Sequence, residues 1–144
     1  MPSVKASSLA ELPPNVSSIL ERARRATFST LLDDGSIHSV PVVFVIENGK
    51  IVSPIDDKPK SSKDLQRVRN LEVDPRATFL ADLWDEEWTR IGWVMVKGTV
   101  SVEPISTAGV ALRERYSQYD EEMTTGERAL YLTPSRISWW TWST

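Results

Sequence analysis

The chain has 144 residues, 40% apolar and 26% charged, which fits one folded soluble domain and excludes a largely disordered chain. It has no cysteine and one histidine, His38, so a disulfide framework, a thiolate zinc site and a cysteine nucleophile are excluded, and a serine–histidine relay would rest on one side chain. A formal charge of −3 argues against general nucleic-acid binding, no apolar run approaches the roughly 20 residues of a spanning helix, and the polar stretch from Met1 to Leu12 lacks an apolar signal core, so a cytoplasmic setting without membrane contact is expected.

Residues 1–12, rich in Ser and Ala, read as a flexible tail ahead of a single domain over 13–144. Pro13-Pro14-Asn15 opens a helix in which Val16, Ile19, Leu20 and Ala23 recur at helical spacing, and Arg22, Arg24 and Arg25 mark its end. Ala26 to Leu32 is a strand, Asp34-Gly35 a turn, and Ile37 to Ile46 the returning strand, with Val40, Val42, Phe44 and Ile46 on one face. Asn48-Gly49 is a second hairpin signal, and Lys50 to Ile55 completes a three-strand meander. Pro41 and Pro54 fall at strand positions that imply an edge or an end.

After a polar stretch, Ser61 or Ser62 caps a helix running to about Glu72, with Leu65, Val68 and Leu71 on its buried face, and Asp74-Pro75 stops it. Arg76 to Leu83 is a fourth strand, and Trp84 to Arg90 an acidic loop. Ile91 to Val102 is a long strand with Gly92 and Gly98 as bend points, ended by Pro104. Ile105 to Tyr119 is helical, Glu121 to Ala129 is a candidate short helix, and Tyr131 to Trp142 is the last strand. The order predicts an α+β fold, a six-stranded antiparallel split β-barrel with short flanking helices.

Chemistry concentrates in Lys58-Pro59-Lys60-Ser61-Ser62-Lys63 and onward to Arg67, Arg69 and Asn70. Cations next to the free N–H groups of a helix start are equipment for a phosphate; the alternative is a solvated charged face. Trp88, on the acidic loop, can stack on a planar ligand or line a subunit contact, whereas Trp93, in a strand with Ile91 and Met95, reads as core. His38 reads as a surface histidine on a hairpin strand. Ser29, Thr30 and Ser53 are hydroxyls within apolar runs, as a barrel-bound cofactor would use.

The ordered series Ser39-Val40-Pro41-Val42-Val43-Phe44, Lys58-Pro59-Lys60, Arg67-Val68-Arg69-Asn70-Leu71, Asp74-Pro75-Arg76-Ala77, Leu80-Ala81-Asp82 and Lys97-Gly98-Thr99-Val100 resembles the split β-barrels of the pyridoxamine-phosphate-oxidase-like superfamily. Within it the chain is most similar to flavin/deazaflavin oxidoreductases that depend on coenzyme F-420. The resemblance implies a homodimer with cofactor in grooves between the barrels, and coenzyme F-420, or alternatively FMN, as that cofactor. A non-catalytic barrel holding flavin, haem or tetrapyrrole is the other option. It implies a phosphate held by Lys58, Lys60, Lys63 and Arg67 with Ser61 assisting, and a ring system lying against Val40 and Pro41. Ser53 and Pro54 would stand where the third strand reaches the cofactor, Asn70 would hold the loop, and Trp88 would approach from the partner subunit. The implied activity is hydride transfer to an unsaturated small molecule, with no metal.

Overall fold

The computed structural model describes residues 6–55, 66–105, 107–117, 119 and 128–142. In chain order these form α1 (Pro14–Arg22), β1 (Ala26–Leu31), β2 (Ile37–Val42), β3 (Val45–Glu47), β4 (Lys50–Pro54), α2 (Gln66–Val73), β5 (Arg76–Leu83), β6 (Gly92–Pro104), α3 (Ala108–Arg115) and β7 (Arg128–Thr141). The strands make one antiparallel sheet in the order β2-β1-β5-β6-β7-β4-β3.

Local chemistry explains most of these elements. Pro14 starts α1 at a position that needs no N–H donor, and Val16, Ile19 and Leu20 form its buried stripe. Asn48 (φ 52°) and Gly49 (φ 76°) are both left-handed, as a two-residue turn between β3 and β4 requires, and Gly tolerates this without strain. In β5 the inward set is Ala77, Phe79 and Ala81; in β6 it is Val94, Val96 and Val100. With Phe28, Phe44, Leu130, Leu132 and Ile137 they fill the main core. A smaller core joins Val45 and Val52 to Ala108, Leu112 and Tyr116 of the α3 region.

Sheet order and chain order together define the barrel. β2 and β3 lie at opposite edges of the sheet, yet only Val43 and Phe44 separate them. Three residue steps reach at most about 11 Å. The sheet must therefore curl until its edges nearly meet, which is an α+β split β-barrel.

Four expectations change. The strand expected over 37–46 is two strands, so the sheet has seven strands among the described residues rather than six, and the expected meander is divided between the two edges. At the break Phe44 is fully buried; its N–H donates to Tyr116 Oη at 3.2 Å, and that hydroxyl donates to the Phe44 carbonyl at 3.1 Å, replacing ladder bonds. Burial parity flips there, so Val45 is buried and Ile46 is 41% exposed. The segment expected as a loose tail is docked from Ala6 onward: Ala6 pairs antiparallel with Ile137, a short 3-10 turn spans Leu9–Glu11, and Leu12 is buried. Trp93 is not core; it shares the outward face of β6 with Met95, half-buried, because Val94 and Val96 take the inward positions. Finally, α1 ends at Arg22 because Arg115 donates to the carbonyls of Leu20 (3.1 Å) and Ala23. The helix expected over 121–129 and the cap at Ser61 or Ser62 lie outside the described residues, apart from Arg128 and Ala129, which open β7.

Candidate functional site

The split is bounded by β2, which among the described residues pairs only with β1, and by the C-terminal half of β4. β3 covers β4 only from Lys50 to Val52, by the pairs Glu47–Lys50, Ile46–Ile51 and Val45–Val52. Continued further, that register would set Phe44 opposite Ser53 and Val42 opposite Ile55; instead the chain breaks there and the two strands part. Backbone donors and acceptors on the free side of β2 therefore face the opening.

The strands set which side chains enter it. Val40 is half-buried and joins the rim of the main core, whereas its neighbour Pro41 points outward and is exposed. Pro41 sits on an edge strand and Pro54 ends β4, as proline's missing N–H demands. Pro54 is buried, and Ser53 is 3% exposed among apolar side chains. His38 has the same parity as Val40 and Val42 and stands directly opposite Thr30. Two buried polar atoms on these strands, His38 Nδ1 and Ser53 Oγ, have no hydrogen-bond partner among the described residues. A buried polar group left unmade costs about 1–3 kcal/mol. Orphans on both strands of one opening are what a site for a polar, partly buried ligand presents, so the residues fit a flavin-type group.

α2 is pinned beside this opening. Asn70, 3% exposed, donates from Nδ2 to Thr30 Oγ1 at 3.0 Å and accepts from Gln66 Nε2 at 2.7 Å. Gln66 in turn accepts from Arg69. Asn70 is thus a strut between α2 and β1, and it brings half-buried Arg67, on the same helix, to the end of the barrel that carries Thr30 and His38. Lys58, Lys60, Ser61 and Lys63 lie outside the described residues.

Trp88 stands apart from this group. It opens a 3-10 turn (Trp88–Arg90) after β5, is 55% exposed, and tilts against Trp84 at 6.3 Å. Thr78 aligns with Ser29, next to Thr30, and Leu83 is five residues further along β5, about 17 Å away. Within one chain, then, Asn70 and Arg67 share one region with His38, Thr30 and Val40; Ser53, opposite Phe44 in the continued register, stands at the other end of the split, and Trp88 is outside both. The expectation of a surface His38 is corrected: Nδ1 is buried, and the residue's parity with Val40 and Val42 was the available signal. Among the described residues no three His, Asp or Glu side chains are grouped to hold a metal ion, and no helix is long and apolar enough to cross a membrane.

The family description pyridoxamine 5'-phosphate oxidase matches residues 12–141. No curated protein matches the sequence. Among solved structures, a conserved hypothetical protein from Mycobacterium tuberculosis is similar at 23% identity and TM-score 0.74, over 98% of this chain and 91% of that one. An F420 reductase is similar at 17% identity and TM-score 0.68, over 88% of this chain and 98% of the other. A haem storage protein from Vibrio cholerae is similar at 14% identity and TM-score 0.68, over 90% and 94% of the two chains. At these identities the likeness is one of fold.

Proposed function

Since the chain belongs to the pyridoxamine 5'-phosphate oxidase family, we propose that it is an oxidoreductase holding a flavin-type cofactor, coenzyme F-420 in the first instance and FMN in the second, at the split. The observation that carries this reading is the pair of unsatisfied buried atoms, His38 Nδ1 and Ser53 Oγ, on the two strands that bound the opening. When bound, such a cofactor supplies hydride for an unsaturated small molecule.

The chain's own residues hold and orient it. Lys58, Lys60 and Lys63 take the phosphate with Ser61 and Arg67, cations grouped in sequence in an otherwise acidic protein. The free edge of β2 at Val40 and Pro41 lies along the ring, and Ser53 donates to a polar edge of it while Pro54 ends the strand. Asn70 positions α2. Trp88 reaches the cofactor from a second copy in a homodimer, which its exposure and its distance from the split within one chain support.

Titration of the purified protein with oxidised F-420, FMN and haem, read by tryptophan quenching and by the ligands' own absorbance, tests the reading. Micromolar binding of F-420 or FMN is expected. Changing Lys58 and Lys60 together to Ala should weaken it by more than about 2 kcal/mol, since hydrogen bonds to charged groups contribute about 1.5–3 kcal/mol each. Absence of binding by all three ligands would sink it. A second reading, a barrel that binds haem without turnover, is favoured by the single histidine with its unpartnered nitrogen. It predicts a Soret shift on haem addition that Val substitution at His38 abolishes.

A further inference from the structure

The outer face of the sheet carries a second concentration of chemistry, in a cleft that borders the split at Thr30. It starts from a defect in the longest strand pair. Lys97 pairs with Arg136 and Gly98 with Pro134, so Ser135 has no opposite residue, and β6 and β7 form a bulge. The Ser135 hydroxyl donates to the Lys97 carbonyl at 3.1 Å and holds the bulge closed. Gly98 is obligatory there, because a Cβ would come within 2.0 Å of the Thr133 carbonyl oxygen.

The bulge forms the floor of a cleft of about 520 Å³ whose polar lining includes Ser29, Thr78, Lys97, Ser135 and Arg136, with Arg76 at its edge. Register aligns Ser29, Thr78, Lys97 and Arg136 as one row across four strands. Their inward-facing neighbours, Phe28, Phe79 and Val96, are core, so the row points to solvent.

The charges in this row are not compensated. Like charges directly opposite on neighbouring strands destabilise a sheet. Lys97 and Arg136 are such a pair, and neither makes an ion pair with a described residue. Among the described residues no carboxylate lines the cleft, although the chain holds 20 Asp and Glu against 17 Lys and Arg. Arg76 is already held by Asp74 at 2.7 Å. A bulge that re-aims side chains, a cleft with hydroxyls, and two opposed cations together form an arrangement that an anion stabilises and that its absence penalises.

We propose that this cleft binds a small molecule bearing a phosphate or a carboxylate, gripped by Lys97 and Arg136 with Thr78 Oγ1 alongside. The site goes beyond the flavin-type reading and stands without it.

The test uses the full chain carrying the Lys58→Ala/Lys60→Ala pair, so that the basic loop adds no anion affinity of its own. The thermal midpoint is measured in inorganic phosphate, in malonate, and in sodium chloride of equal ionic strength. A midpoint about 4 °C above the chloride control, at concentrations tenfold over the dissociation constant, is expected for at least one anion, and the two arms separate phosphate from carboxylate. Lys97→Thr and Arg136→Thr should each abolish that rise, and in chloride their midpoints should equal or exceed the parent's, because the like-charge opposition is gone. Lys97→Arg should keep the rise, which separates lost charge from lost fold. The proposal is overturned if neither anion raises the midpoint above chloride, or if either threonine variant keeps the rise. It is equally overturned if those variants split a dimer while the parent ignores both anions, for then a second copy's carboxylates occupy the cleft.

Discussion

Tyr116 shows how much one hydroxyl can carry. Its oxygen accepts from the Phe44 N–H and from Arg115 Nε at 3.0 Å and donates to the Phe44 carbonyl, using its full hydrogen-bonding capacity. Arg24 and Arg115 stack on its ring at 4.7 and 5.5 Å, and Arg24 Nη2 donates to the Arg115 carbonyl at 2.6 Å. Tyr116→Phe should leave two buried backbone groups unpaired and lower stability by about 1–3 kcal/mol in urea melts, with the fold retained. Charge acts at this scale too. The Arg76 guanidinium holds the Asp74 carboxyl down from 3.8 to about 2, chiefly through their side-chain hydrogen bond. A depressed carboxyl contributes stability above its unfolded value and loses it as pH falls through the folded one. Asp74→Asn should therefore flatten the fall in urea midpoint between pH 3.8 and about 2 relative to the parent chain. Of the site residues, Ser53 and Val40 were legible as hydroxyl and apolar positions in strand patterns. The strut role of Asn70 was visible only in outline, since Thr30 lies 40 residues away.

At the scale of elements, what is local was legible and what is distant was not. Asn48-Gly49 announces its turn because the conformation is a property of two residues. The break at Val43–Phe44 has no such announcement, since apolar alternation runs straight through it. The partner that makes the break tolerable, Tyr116, is 72 residues away. The docked Ala6 likewise depends on a bridge to Ile137 at the other end of the chain. Removing residues 1–12 should therefore destabilise the fold, by about 1–3 kcal/mol on loss of the buried Leu12 and the Ala6 bridge, where a loose tail would cost nothing measurable in urea. Gly98 was legible as a bend point, and its reason is close approach. Gly98→Ala should cost about 3 kcal/mol, read by the same melts, because the obstruction is backbone rather than a movable side chain.

For the whole molecule, strand types and order were legible in the sequence, while the path between sheet edges depends on the break at Val43–Phe44, which no local pattern marks. The expected and observed split β-barrels differ by the divided strand. The six tryptophans were conspicuous in the sequence, but their place was not. Trp84, Trp88 and Trp142 are exposed, and Trp140 lies opposite Trp93 on the outward face. Sedimentation at micromolar concentration should return twice the mass of one chain if these rings meet a second copy. Trp88→Ala should then weaken flavin-type ligand binding without altering the melt.

The short tether of Val43 and Phe44 also governs motion. Among the described residues it fastens the two borders of the crevice at one end, where Tyr116 clamps it, so the separation of the borders is held at that end like the hinge of a peg. The far end of β2, beside Ile37 and α2, has no such clamp among the described residues.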